Sequence, residues 1–151
     1  MPQAAARAST RSVEHWVLLA GSFAALLLFV VLGAWLDPDP RGYGTHTALG
    51  LPDCKTVQWW GVPCPGCGVT TSLCLAAHGR LWASFANQPF GFACACALLA
   101  APLGASWLHL TGRDLFEFVA RARPRVWILA ALGMLLAGWA WKLGLVRGWW
   151  G

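Results

Sequence analysis

Two cysteines separated by a Pro–Gly turn, Cys64 and Cys67, have the spacing in this sequence that most clearly indicates chemistry. A CPGC turn can direct both sulfur atoms at one metal ion, and a closed zinc site needs four ligands. Cys54 lies upstream as a third candidate, and the fourth ligand could be His46, Cys74 or His78. There is no second CxxC, which would strengthen the zinc interpretation. The sequence therefore predicts a zinc site whose ligands are Cys54, Cys64, Cys67 and His78.

The same cysteines permit two other chemistries. A CxxC pair before a helix can carry out thiol–disulfide exchange, because the helix N-terminus stabilises a thiolate. The catalytic residues would then be Cys64 and Cys67. In an oxidising compartment, Cys54 could instead form a disulfide with either of them and fix the loop to the following helix. Because CxxC spacing alone is a weak indicator of activity, a structural role through zinc or a disulfide is favoured over catalysis.

The elements that position these residues follow from the composition. Of the 151 residues, 58% are hydrophobic and only 11% are charged, whereas soluble domains usually carry charge on about a quarter of their residues. Three long apolar segments predict transmembrane helices at residues 16–36, 89–110 and 126–146, each close to the roughly 20 residues that span a bilayer core. The third includes Lys142, whose ammonium is expected to reach the headgroups. The predicted class is an all-α integral membrane protein.

These spans leave an N-terminal tail (1–15), a long first loop (37–88), a short second loop (111–125) and a C-terminal tail (147–151). Arginines are concentrated in the N-terminal tail and the second loop, so the positive-inside rule predicts that both are cytoplasmic. The first loop, with its cysteines, then faces outward. The net charge of +5 is explained by contact with anionic lipid, and no nucleic-acid partner is expected.

Two short helices are predicted outside the spans. One runs from about Val69 to His78, with Gly79 as its stop, and is too short to cross a membrane, so it is interfacial or re-entrant. Its N-cap is expected to be a hydroxyl residue, Thr70, Thr71 or Ser72. At 100° per residue, one stripe of this helix contains Cys67, Thr71, Cys74 and His78. The other short helix lies in the basic amphipathic second loop, at the cytoplasmic surface.

The cysteine segment resembles a bacterial membrane family known as domain of unknown function 2752, over roughly residues 45–105. The family pattern is an upstream cysteine, a CPxCGxT motif, a small-residue helix that ends in (R/H)G, and an N(x)P step into the next span. Besides the cysteines, the matching residues are Pro65, Gly68, Thr70, His78, Gly79, Asn87 and Pro89. Many members follow the motif threonine with arginine, where this chain has Thr71. The resemblance implies a multi-pass protein of the bacterial cytoplasmic (inner) membrane and leaves its activity open.

The remaining sequence narrows the function. It has no Ser/His/Asp pattern, no phosphate-binding glycine loop and no carboxylate within a span, which argues against hydrolase, nucleotide-binding and ion-pump roles. Three helices form a thin bundle, and small-xxx-small steps such as Gly21/Ala25 permit close packing, so a membrane-protein partner or a homo-oligomer is plausible. The preferred interpretation is a non-enzymatic accessory or assembly component. The alternative is an envelope thiol–disulfide oxidoreductase.

Overall fold

The structure, a computed structural model, describes residues 12–149. Within that range it is all-helical, with one 3-10 turn (Thr45–Leu49) and no strand. The α-helices are α1 (Val13–Trp35), α2 (Lys55–Trp60), α3 (Val69–Ala77), α4 (Leu81–Asn87), α5 (Pro89–Leu110), α6 (Leu115–Arg121) and α7 (Pro124–Val146). The predicted all-α class is confirmed.

Helices α1, α5 and α7 are long and apolar enough to span a membrane, with mean hydropathies of 2.6, 1.6 and 1.6. This confirms the prediction of three such helices. Two of them begin before the predicted starts at residues 16 and 126. Helix α1 begins at Val13 because the Ser12 side chain accepts a hydrogen bond from the His15 N–H. Helix α7 begins at Pro124, since proline is favoured in the first helical turn.

Small residues allow the helices to approach closely around a compact apolar core. The core cluster joins Phe29 of α1, Ala76 of α3 and Ala95 of α5, so the short helix α3 packs against two of the long ones. At Gly33 of α1, an added Cβ would overlap the side chain of Ala77. Helix α7 contacts the other long helices mainly through α5.

The short helices differ in detail from the predictions. Helix α3 does follow the CPGCG turn, but its N-cap is Gly68, with a φ of +89°, and no side chain caps it. The expected capping residues Thr71 and Ser72 instead face the interior, where both are buried. The C-cap is His78, and Gly79 beyond it has the left-handed φ of +73° that favours glycine.

The two ends of the bundle have different polar structures. At one end, the loop between α1 and α5 packs over the end of α1 and the start of α5, and hydrogen bonds join it to the last turns of α7. At the opposite end, His15 is fully buried, and its Nδ1 accepts a hydrogen bond of 3.0 Å from the Leu115 N–H. His15 Nε2 therefore carries the proton in the neutral ring and lies 3.1 Å from His109 Nδ1. The two contacts of the His15 ring together join α1, α5 and α6.

Candidate metal centre

Three cysteine side chains converge at the loop end of the bundle. Cys54 is the N-cap residue of α2, while Cys64 and Cys67 lie on the turn that precedes α3. The Cys67 sulfur is 3.2 Å from that of Cys54 and 3.4 Å from that of Cys64, and all three lie within 4.8 Å of one another. A tetrahedral ion with 2.3 Å bonds to sulfur would hold its ligand atoms about 3.8 Å apart. The three residues, here called the thiol cluster, are close enough to bind one metal ion.

The turn that carries two of these cysteines is defined by its backbone. The Cys67 N–H donates to the Cys64 carbonyl oxygen at 2.9 Å, which closes the CPGC turn. Gly68 follows in the left-handed conformation that favours glycine. A Cβ at Gly68 would also stand only 2.9 Å from the Gly42 carbonyl oxygen. The glycine after the CxxC is therefore required both by its φ and by the close approach of the loop.

Side chains from α7 and α4 hold the carbonyl groups of this turn. The indole Nε1–H of Trp139, in α7, donates to the Pro63 carbonyl oxygen at 2.7 Å. The Nδ2–H of Asn87, at the end of α4, donates to the Gly68 carbonyl oxygen at 3.1 Å. Two elements distant in sequence thus fix the turn on either side of its cysteines.

Gln88 adds a further link, at the junction of α4 and α5. Its side chain is fully buried, and its Oε1 accepts the Phe90 N–H at 3.3 Å, which caps the start of α5. Its Nε2 lies 3.5 Å from the Pro65 carbonyl oxygen, at the outer limit of a hydrogen bond. Helix α7 passes beside this amide at Gly138, where a Cβ would collide with Gln88. The cap of α5, the turn and α7 therefore meet at one amide.

The structure places Lys142 differently from the sequence-based expectation. Its side chain does not extend to the membrane surface but is only 4% exposed. The ammonium donates to the Asn87 Oδ1 at 2.6 Å and to the Gly42 carbonyl oxygen at 2.9 Å. Sequence reasoning missed this role, and the available signal was a single lysine near the end of an otherwise uncharged span.

The thiols differ in acidity. Burial opposes ionisation of Cys54, but hydrogen bonds from Thr56, Cys67 and the backbone N–H groups of Val57 and Cys64 outweigh it and lower its pKa to about 6. Burial raises the pKa of Cys67, and its hydrogen bonds to the two other sulfurs raise it further. The thiol with the lowered pKa is therefore the upstream Cys54 and not the cysteine next to the N-terminus of α3.

The structure does not bring His78 to the thiol cluster. The stripe through Cys67 and His78 follows one face of α3, but this nine-residue helix is about 13 Å long, and the two residues lie beyond its opposite ends. The Nδ1–H of His78 donates to the Cys74 carbonyl oxygen at 2.9 Å. The thiol of Cys74 donates to the Leu36 carbonyl oxygen at 2.8 Å. Angular alignment on a helix did not imply proximity along its axis.

No other residue of the usual ligand types joins the cluster. Every Cys, His, Asp and Glu of the sequence lies within residues 12–149, and among them only the three cysteines form a group with ligand spacing. A cavity of about 90 Å³ lies beside Cys54, and His46 and Asp53 also line it. His46 Nε2 lies 3.1 Å from the Pro52 carbonyl oxygen. The cluster thus supplies three sulfur ligands, and a small molecule can approach Cys54 through this cavity.

The remaining motif residues support the loop. Thr71 is buried, and its hydroxyl lies 2.9 Å from that of Thr45. The neighbouring Thr70 lines an apolar pocket between α1 and α3. Pro89 is the first residue of α5, as the N(x)P step predicts.

Comparison with known proteins identifies a family that matches part of the chain. Neither the curated proteins nor the solved structures include a significant match to the chain. A family model described as "Protein of unknown function (DUF2752)" matches residues 54–101. This segment contains the thiol cluster, helices α2 to α4 and the first half of α5. The resemblance predicted from the cysteine motif is therefore confirmed over residues 54–101, where the chain matches the model of this family.

Proposed function

We propose that the thiol cluster is a structural zinc site that fixes the first loop onto the helix ends of a small membrane protein. The observation that carries this proposal is the convergence of three sulfur atoms within 4.8 Å on a CPGC turn and an upstream N-cap. Thiolates are preferred ligands of Zn²⁺, and structural sites often place two of them on such a turn. Zinc at this point would join α2 to the turn before α3.

Two features favour a metal over a simple disulfide. A disulfide would use two of the three sulfurs, whereas a metal uses all three, and Cys67 lies within 3.4 Å of both others. Backbone N–H groups of Val57 and Cys64 are directed at the Cys54 sulfur, and such bonds favour a thiolate over a thiol. Metal-bound cysteines are thiolates, so this environment suits a ligand.

The cellular role follows from the setting of the cluster. The protein would lie in the bacterial cytoplasmic (inner) membrane, with its N-terminus in the cytoplasm and the thiol cluster on the outer side. The three apolar helices and the arginines of the second loop support this arrangement. A zinc site that only holds a loop in shape suits an accessory or assembly component, and the surface of α7 offers room for a membrane partner or a second copy.

Metal analysis of the detergent-purified protein tests the proposal. We expect one zinc per chain, together with protection of Cys54, Cys64 and Cys67 from alkylation until a chelator is added. Serine substitution of any of the three should abolish stoichiometric zinc, while Cys96→Ser, on an exposed face of α5, should leave it unchanged. Protein purified without reductant or chelator that holds no zinc and contains a Cys–Cys disulfide within the cluster would contradict the proposal.

The acidity of Cys54 favours one alternative, an envelope thiol–disulfide oxidoreductase. The Cys54 thiolate would attack a partner disulfide, forming a mixed disulfide and releasing one partner thiolate. Cys67, after losing its proton, would displace the second partner thiolate. Two electrons would pass to the partner, whose disulfide becomes two thiols, while a Cys54–Cys67 disulfide forms.

This route uses Cys54 and Cys67 in place of the predicted Cys64–Cys67 pair, because Cys54 has the lowered pKa of about 6. Reduction of a model disulfide peptide that is lost in Cys54→Ser and retained in Cys96→Ser would support it.

A further inference from the structure

The buried ammonium of Lys142 is a charge that the fold must balance. It lies in the last two turns of α7, where a lysine can ordinarily extend to the membrane surface. Its two hydrogen-bond acceptors, the Asn87 amide and the Gly42 carbonyl, are both neutral groups. Among the described residues, no carboxylate forms an ion pair with it. A buried cation with only neutral partners is unfavourable, because hydrogen bonds do not replace a counter-charge.

The loop backbone is shaped around this side chain. Gly42 and Gly68 both have positive φ values, +74° and +89°. A Cβ at Gly42 would stand 2.8 Å from Lys142 Nζ, and a Cβ at Gly68 would stand 3.3 Å from Lys142 Cε. The end of the lysine therefore passes between two glycines, and the second of these directly follows Cys67.

The thiol cluster is the neighbouring group that can become anionic. Cys67 directly precedes Gly68, whose Cβ position lies 3.3 Å from Lys142 Cε, so the end of the lysine reaches the backbone next to a cluster cysteine. Three protonated thiols are neutral, and so is a disulfide with a remaining thiol, which means that neither state balances the lysine. A divalent ion with three thiolates carries one net negative charge, and a neutral fourth ligand such as water leaves that charge unchanged. The single negative charge of this metal-bound state balances the single positive charge of the Lys142 ammonium.

We infer that Lys142 is the counter-charge of the metal site, and that the site holds a divalent ion on three thiolates with a neutral fourth ligand. This inference rests on the proposed zinc site and specifies its charge and ligand number. It also assigns a role to α7 in metal binding, although that helix supplies no ligand. The cavity beside Cys54 gives a water molecule access to the cluster.

Metal titration of full-length variants tests the inference. Lys142→Met removes the charge, and we expect the affinity for Zn²⁺, measured by competition with a chelator, to fall by about tenfold to a hundredfold, as for other groups that support metal ligands. Lys142→Arg keeps the charge and should restore most of the affinity. Arg147→Gln removes an exposed positive charge just beyond the same helix and serves as the matched control, with unchanged affinity.

A measurement on the wild-type protein keeps the test decisive if Lys142→Met does not fold. The intensity of the thiolate-to-Co²⁺ charge-transfer band in cobalt-loaded protein reports the number of thiolates, and we expect three per ion. Two or four would overturn the inference, as would a Lys142→Met variant that binds Zn²⁺ as tightly as the wild type. A Lys142→Met variant with unchanged affinity would leave the zinc site itself intact, whereas failure of the wild type to bind any metal would overturn the proposed function.

Discussion

Ser72 and Ser84 exchange a reciprocal pair of hydrogen bonds. The Ser72 hydroxyl donates to the Ser84 carbonyl oxygen at 3.0 Å, and the Ser84 hydroxyl donates to the Ser72 carbonyl oxygen at 2.7 Å. Both side chains are fully buried, and the Ser72 oxygen also accepts the Asn87 Nδ2–H at 3.0 Å. The pair joins α3 to α4, so the turn before α3 and the asparagine at the end of α4 keep a fixed relation.

We expect Ser72→Ala to destabilise the protein. The change leaves one Asn87 N–H without its acceptor in a buried place, which typically costs about 1–3 kcal/mol, while the Ser84 carbonyl oxygen keeps only its hydrogen bond from the Gln88 N–H. Thermal or denaturant unfolding in detergent measures the effect. Ser22→Ala is the control, because the Ser22 hydroxyl bonds only to the Leu19 carbonyl of its own helix. Equal losses of unfolding free energy in Ser72→Ala and Ser22→Ala would contradict a stabilising role of the Ser72–Ser84 pair.

The contact between α3 and α5 predicts a contrast between two glycines of α5. A Cβ at Gly91 would stand 2.7 Å from Ser72 Cβ and 3.0 Å from the Val69 carbonyl oxygen, while nothing lies within 4 Å of the same position at Gly104. Gly91→Ala should therefore lower the free energy of unfolding by about 1–3 kcal/mol through overpacking. Gly104→Ala should be neutral or stabilising by up to about 1 kcal/mol, because alanine is the better helix former. Unfolding measurements that rank the variants in the opposite order would refute the close packing.

Trp139→Phe tests whether α7 supports the turn. The substitution keeps an aromatic ring but removes the hydrogen bond to the Pro63 carbonyl, worth about 0.5–1.5 kcal/mol. We expect bound zinc to be lost to a chelator faster than in the wild type, because the turn becomes less rigid. Trp127→Phe, on an exposed part of the same helix, is the control and should release zinc at the wild-type rate.

Asp114 should make stability depend on pH at the end of the bundle opposite the thiols. Partial desolvation opposes its ionisation, but the N–H groups of Glu117 and Phe116 outweigh this and lower the pKa below the usual 3.8. A lowered folded-state pKa stabilises the fold above the unfolded pKa, and that contribution is lost as the pH falls through the folded value. The stability difference between wild type and Asp114→Asn should therefore be constant above about pH 4 and shrink below it. Unfolding curves collected across this range measure the difference, and one that stays constant into strong acid would exclude this role.

The parts of the fold that sequence could predict depend on local composition. Each membrane helix is an uninterrupted apolar segment of its own, so it is recognisable without reference to the others. The cysteines could be grouped because the CPGC turn limits where its two sulfurs can point. Cys54 is close in sequence, and only a short helix and a loop separate it from that turn.

The missed features are polar contacts between residues far apart in sequence. Lys142 and Gly42 meet across 100 residues, and His15 and His109 meet across 94. Nothing in the local sequence of either partner indicates the other, because Lys142 and the two histidines are lone polar residues in or next to apolar segments and Gly42 contributes only its backbone carbonyl. A buried lysine and a lysine that reaches the headgroups have the same sequence pattern, and only the tertiary contacts distinguish them.

Helix α7 meets the rest of the protein almost entirely through its last turns. Its buried residues, Gly138, Lys142 and Gly144, all lie in its second half, whereas residues 124–134 are exposed throughout. In a bilayer, this exposed first half would be surrounded by acyl chains or by another protein. A charged substitution there would therefore oppose the insertion of the helix into the membrane and leave the geometry around the cysteines untouched.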